Sequence, residues 1–112
     1  MSERVAVVGS FVVGATVRLP RAPLPGETLP GDLFDLGPGG KGINLAVSVH
    51  RLGADVDVVV KVGEDEFANI AERLLQEEGI AMDHLIREDG EQTGIGLVYL
   101  DAKSGENTIG LY

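Results

Sequence analysis

The chain is 112 residues long and carries 9 Lys and Arg against 18 Asp and Glu, a formal net charge of −9, with 44% apolar residues. That length fits one domain with one core, and the acidic balance argues against nucleic acid and anionic membrane surfaces, which both recruit basic patches. The absence of cysteine excludes a disulfide scaffold, a Cys-ligated zinc site and a thiol nucleophile.

No apolar run approaches the roughly 18 residues of a membrane span. The start, Met1-Ser2-Glu3-Arg4, lacks the pattern of a secretory leader, so a cytoplasmic location is expected. Val5-Ala6-Val7-Val8, closed by Gly9, predicts a strand buried on both faces, as in a parallel sheet. Over residues 11–20, Ala15, Val17 and Leu19 alternate with Thr16 and Arg18, which predicts a strand with one wet face. Pro20, Pro23 and Pro25-Gly26 mark a turn region. Another strand is expected near Thr28–Leu36, where Pro30-Gly31 fits an edge or a bulge.

Gly37-Pro38-Gly39-Gly40-Lys41-Gly42 predicts an irregular loop. It opens into a helix over Asn44–Leu52, with Leu45, Val49 and Leu52 as its apolar stripe and Gly53 just past its end. Val56–Val62 predicts a second buried strand. A second helix is expected from Gly63-Glu64-Asp65, with Phe67, Ile70, Ala71, Leu74 and Leu75 as its apolar face and Gly79 as its stop. Thr93–Asp101 and Glu106–Tyr112 predict a hairpin around Ala102-Lys103-Ser104-Gly105. Strand, loop, helix, strand, helix is the grammar of an α/β fold with parallel strands. The last expected strand is still running at Tyr112, as in a domain whose remaining strands and covering helix are missing.

Glycine is abundant, at 16 of 112 residues, and the densest cluster precedes the first helix. Glycines lacking Cβ let backbone approach a ligand closely and adopt positive φ. A helix start adds free N–H groups and partial positive charge. Lys41 adds donors, and Asn44 can donate and accept. Together they suit an anion or a ligand rich in hydroxyls. Taken alone, the cluster also reads as a flexible turn capping a helix. It is neither a dinucleotide fingerprint, since Gly9 is followed by Ser10-Phe11-Val12, nor a Walker loop, since Lys41 is followed by Gly42.

Gly39-Gly40-Lys41-Gly42-x-Asn44-x-Ala46, then six residues to Gly53 and nine more to Gly63, resembles the N-terminal signature of the ribokinase (PfkB-type) carbohydrate kinases. Val7-Val8-Gly9-Ser10 is similar to that family's first strand, Pro25-Gly26-Glu27-Thr28 to its lid turn and Val62-Gly63-Glu64-Asp65 to its V-G-x-D segment. Thr93-Gly94 and Gly105-Glu106-Asn107 are similar to its later lid strands. The resemblance covers nearly the whole chain in order.

The resemblance implies residues 1–112 to be the N-terminal part of a ribokinase-like α/β fold, a parallel sheet with flanking helices, with a small β-sheet lid. Its lid insertions would lie at approximately 11–36 and 93–110. It implies a kinase that uses ATP and Mg²⁺ to phosphorylate a hydroxymethyl group of a sugar or nucleoside. Gly39, Gly40, Lys41, Gly42 and Asn44 would contact sugar hydroxyls. A homodimer through the lid strands is expected, with Val17, Leu19, Leu97 and Tyr99 on its apolar face.

Two departures stand out. The family's sugar-binding Asp falls at Gly14, and ribokinase's nearby Asn at Val12. Losing a charge-assisted bond costs roughly 1.5–3 kcal/mol, which argues against ribose. The family's Gly-Ala-Gly-Asp base segment is also absent, and with it the ATP site and Mg²⁺ ligands. The chain alone is therefore expected to be inactive, to hold no catalytic or metal-binding residue and to need no cofactor. The alternative is a non-enzymatic sugar-binding or dimerisation module on the same portion of the fold. An in-frame continuation carrying Gly-Ala-Gly-Asp would favour the kinase over the module.

Glu64-Asp65-Glu66, Glu77-Glu78 and Glu88-Asp89 are expected to be solvated, and His50 and His84 structural or exposed. Phe11, Phe34 and Phe67 are expected in core or lid packing.

Overall fold

A computed structural model describes residues 3–112; the part of the leader reading that rests on Met1 and Ser2 lies outside them. In chain order the elements are β1 (Arg4–Val8), β2 (Val12–Leu19), β3 (Leu33–Gly39), α1 (Lys41–Arg51), β4 (Asp55–Gly63), α2 (Ala68–Glu78), β5 (Leu85–Glu88), β6 (Gly94–Asp101) and β7 (Asn107–Leu111). They form two compact units. One holds the chain up to Val13 together with Pro38–Gly94; the other holds Gly14–Gly37 and Ile95–Tyr112.

The first unit is α/β. Its sheet has the order β1-β4-β5. β1 runs parallel to β4 with Arg4 beside Asp55 and Val8 beside Val59, and β4 runs parallel to β5 from Val60 beside Leu85 to Gly63 beside Glu88. Alternation along β4 buries Val56, Val58, Val60 and Val62, and the register sets Val5 and Val7 on the same side. Ile43 and Ala46 of α1 and Ala68, Ala71 and Leu75 of α2 pack into that core. Burying each of the Val, Ile and Leu side chains contributes roughly 1.5–3 kcal/mol.

Several expectations change here. β1 is buried on one face only, since both helices pack on the same side of the sheet; Val8 is 78% exposed. α1 starts at Lys41, three residues earlier than Asn44, so Ile43 and Ala46 face the sheet while Leu45 and Leu52 point outward. α2 starts later than expected, at Ala68. The acidic run before it is engaged rather than merely solvated: Glu64 pairs with Arg87 at 2.7 Å, and Asp65 accepts the Ala68 N–H at 3.0 Å. Glu78 pairs with Arg51, and Glu88 with Lys61. β5 has no counterpart among the expected strands. Gly53 and Gly79 do stand just past the helix ends, at φ 104° and 73°.

The second unit is a four-stranded sheet of order β3-β2-β6-β7. β6 and β7 are antiparallel, Gly96 facing Leu111 and Leu100 facing Asn107. Asp101 shapes their turn by accepting the N–H groups of Lys103 and Ser104 at 2.8 and 3.1 Å. β3 is an edge strand, which accommodates Pro38, and it begins after Pro30-Gly31. Arg21 grips Glu27 through two 2.6 Å bonds, and Glu27 also accepts the Leu24 N–H at 3.0 Å. The guanidinium and this N–H hold the Glu27 carboxyl at about 2. Leu19 is buried, whereas Phe34 is 69% exposed, contrary to its expected packing role. Among the described residues no helix is long and apolar enough to cross a membrane.

Candidate functional site

The glycine cluster is more ordered than its composition suggests. β3 continues through Gly39 and α1 begins at Lys41, so a single residue, Gly40, turns the chain from strand to helix. Its φ of 98° with ψ of 142° is open to glycine and strained for other residues. A Cβ at Gly40 would also lie 2.6 Å from the Ser10 carbonyl oxygen.

Gly42 serves a different purpose from the one its motif suggests. A Cβ there would stand 2.7 Å from Gly9 Cα and 2.8 Å from Ser10 N; a Cβ on Gly9 would stand 2.6 Å from Gly42 Cα. The segment leaving β1 thus crosses the first turn of α1 backbone against backbone. Gly9 is tied down further by its N–H, which donates to the Val59 carbonyl at 3.2 Å. At Gly40 and Gly42 a side chain would collide with the segment leaving β1, so both glycines close the fold and set the place of their neighbours.

Those neighbours are Lys41 and Asn44. Both are exposed at the start of α1. Among the described residues Lys41 forms no ion pair, and the Asn44 side chain has no hydrogen-bond partner. The helix has no side-chain cap and no acidic residue in its first turn. Its first N–H with an intrahelical acceptor is that of Asn44, which donates to the Gly40 carbonyl at 3.1 Å. The N–H groups before it keep the donor capacity and partial positive charge of a helix start. This corner lies beyond the carboxyl end of β1, where α/β sheets bind ligands. It offers backbone N–H donors, an ammonium and a carboxamide, a set suited to hydroxyl and anionic oxygens.

Val12 and Gly14 follow on β2. The position of a Cβ on Gly39 lies 3.5 Å from the Val12 carbonyl oxygen, so Val12 flanks the glycine turn, but with an apolar side chain. A Cβ on Gly14 would meet only the Gly37 carbonyl oxygen, at 3.8 Å, an ordinary contact. Nothing steric therefore demands glycine at 14. Of the seven expected site residues, Gly39, Gly40, Lys41, Gly42, Asn44 and Val12 cluster in the α/β unit; Gly14 belongs to the four-stranded sheet.

A cavity of about 290 Å³ in the α/β unit lies elsewhere, at the amino ends of β1 and β4, lined by Arg4, His50, Asp55 and Asp57 among others. The Arg4–Asp57 ion pair at 2.8 Å occupies its rim, and it is remote from the glycine turn. His50 is half-buried, with Nδ1 buried and unpartnered. Among the described residues no group of three or more His, Asp or Glu side chains could hold a metal ion.

Sequence reading passed over Asp65 and Thr93 as a pair. Thr93 is buried, and its hydroxyl donates to Asp65 Oδ1 at 2.6 Å. Burial pushes the Asp65 carboxyl up, but the Thr93 hydroxyl and the Thr93, Ala68 and Phe67 N–H groups outweigh it and hold the carboxyl below its ordinary range.

Comparison with known proteins agrees with the signature. The family model for "pfkB family carbohydrate kinase" matches residues 2–112. A ribokinase of Haemophilus influenzae is 35% identical over 109 residues, covering 97% of this chain and 35% of that protein. Ribokinase from Arabidopsis thaliana complexed with ribose and ATP superposes with a TM-score of 0.84 at 31% identity, covering 100% of this chain and 36% of that one. Ribokinase from Cryptococcus neoformans in complex with ADP gives 0.82 and 31%, covering 100% and 35%. The chain spans about a third of the length of these relatives. The α/β unit and its companion sheet are the N-terminal portion of the ribokinase-like fold, and the chain belongs to the pfkB family of carbohydrate kinases.

Proposed function

We propose that this chain is the sugar-binding portion of an ATP-dependent kinase that phosphorylates a hydroxymethyl group of a sugar or nucleoside. One observation carries the proposal. At the uncapped start of α1, Lys41 and Asn44 stand exposed and, among the described residues, unpartnered, on a turn fixed by the Gly9–Gly42 crossing. Asn44 would donate to one hydroxyl oxygen and accept from another, while Lys41 and the N–H groups beyond Gly40 donate to the rest. Val12 would line the same sugar without a polar side-chain contact.

The insertions at approximately 11–36 and 93–110 act as the lid, and two chains pair through the second of them. Supporting this, Leu97 and Tyr99 are 54% and 42% exposed on one side of β6. With Ile95, Gly110, Leu111 and Tyr112, Leu97 lines an apolar groove of about 340 Å³. Val17 is half-buried and Leu19 buried, so the pairing face rests on β6 and β7 instead. A sugar or nucleoside and a second copy of the chain are its partners; nucleic acid and membrane are not, and its place is the cytoplasm.

ATP and Mg²⁺ belong to the complete enzyme. Among the described residues no group of three or more His, Asp or Glu side chains converges to hold the ion.

A coupled ATP-consumption assay with a panel of sugars tests the division of labour. The 112-residue chain should show no turnover above blank; turnover that survives repurification would overturn it.

A further inference from the structure

The buried pair outside the sugar site lies where the chain leaves the α/β unit. Thr93 precedes Gly94, the first residue of β6, and from Ile95 onward the strand belongs to the four-stranded sheet. Asp65 holds Thr93 by two bonds. The Thr93 N–H donates to Asp65 Oδ2 at 2.8 Å, and the Thr93 hydroxyl donates to Oδ1 at 2.6 Å. That hydroxyl also accepts the Gly63 N–H at 2.9 Å, at the end of β4. Asp65 Oδ1 accepts the Ala68 N–H, at the start of α2. Asp65 and Thr93 thereby tie a strand end, a helix start and the root of β6 together.

The backbone is built to bring them together. A Cβ on Gly63 would lie 2.2 Å from the Glu91 carbonyl oxygen and 2.8 Å from Thr93 N. The segment before β6 is thus pressed directly onto the end of β4. The Thr93 N–H donates and its hydroxyl both donates and accepts, the condition under which such a network fixes a single arrangement.

We infer that Asp65 is a positioning residue that acts through Thr93, holding the backbone at the start of the second insertion against the end of β4 and the start of α2. The functional weight of this anchor rests on the reading of that insertion as a lid over the sugar; the anchor itself does not. If the sugar reading failed, the test below would still come out as described.

Amide hydrogen exchange measured by NMR on the intact 112-residue chain tests it. Asp65→Asn puts a donor where Oδ2 accepts the Thr93 N–H, and Thr93→Val removes the hydroxyl while keeping the shape. Both should speed exchange at Ile95, whose N–H donates to the Tyr112 carbonyl at 2.9 Å, by roughly ten- to a hundredfold, the loss of a charge-assisted bond. The effect should fade along the strand toward Asp101, which donates to Glu106. Gly9 and Ile80, bonded within the α/β unit to Val59 and Leu75, should keep wild-type protection. Thr93→Ser, which retains the hydroxyl, should restore protection at Ile95. Unchanged exchange at Ile95 would overturn the inference. So would uniform loss across Gly9, Ile80 and Ile95, or outright unfolding of both variants, because the carboxylate would then hold up the whole unit rather than the start of one insertion.

Discussion

At Gly9 and Gly42 the missing side chains matter because two backbone segments cross with no room for a carbon between them. Gly42→Ala should cost about 1–3 kcal/mol, the usual penalty for forcing an extra carbon into packed structure, seen as a lower melting temperature. Asn44→Ala, at an exposed helical position, should change stability by no more than about 0.5 kcal/mol while weakening sugar binding. An Asn44→Ala chain that melts early yet binds normally would return the glycine cluster to a plain helix-capping turn. The motif and its two polar residues were legible in the sequence. That Gly42 closes the fold against Gly9 was not. It depends on a contact between Gly9 and Gly42, far apart in the chain, that no local pattern encodes.

Among the elements, β4 and α2 followed from their patterns because alternation and 3-and-4 spacing report directly on which face is buried. β5 escaped because its four residues carry one adjacent apolar pair, Leu85-Ile86, too short to show a period. The start of α1 was hidden inside a run of glycines. Only a backbone angle at Gly40 decides that the helix begins one residue later. The turn between β2 and β3 carries its own test. Glu27 titrates at about 2 rather than its ordinary 4.5, through the Arg21 guanidinium and the Leu24 N–H. A carboxylate with a lowered pKa in the fold contributes fully above 4.5, and that contribution fades as pH falls through 2. A carbon-detected NMR titration of Glu27 should place its midpoint near 2, and Arg21→Ala should move it up toward 4.5. A midpoint already at the ordinary value in the wild-type chain would mean the ion pair does not form.

For the molecule as a whole, the second unit leaves Leu97, Tyr99, Leu111 and Tyr112 exposed on β6 and the strand and terminus beside it. Grouped apolar surface of this kind marks an interface. Light scattering after size exclusion should give a dimer at high micromolar concentration, and Leu97→Asp should return it to a monomer. A wild-type monomer would contradict the pairing.

The central claim is that the start of α1 receives a polyhydroxylated sugar, and ¹⁵N–¹H NMR titration of the 112-residue chain with a panel of sugars and nucleosides, in wild-type and Asn44→Ala forms, tests it most directly. At least one of these ligands should shift the amides of Gly39–Asn44 and Val12 saturably, with the shifts lost in Asn44→Ala. Saturable binding that leaves those amides still, or a full panel that moves none of them, would contradict it.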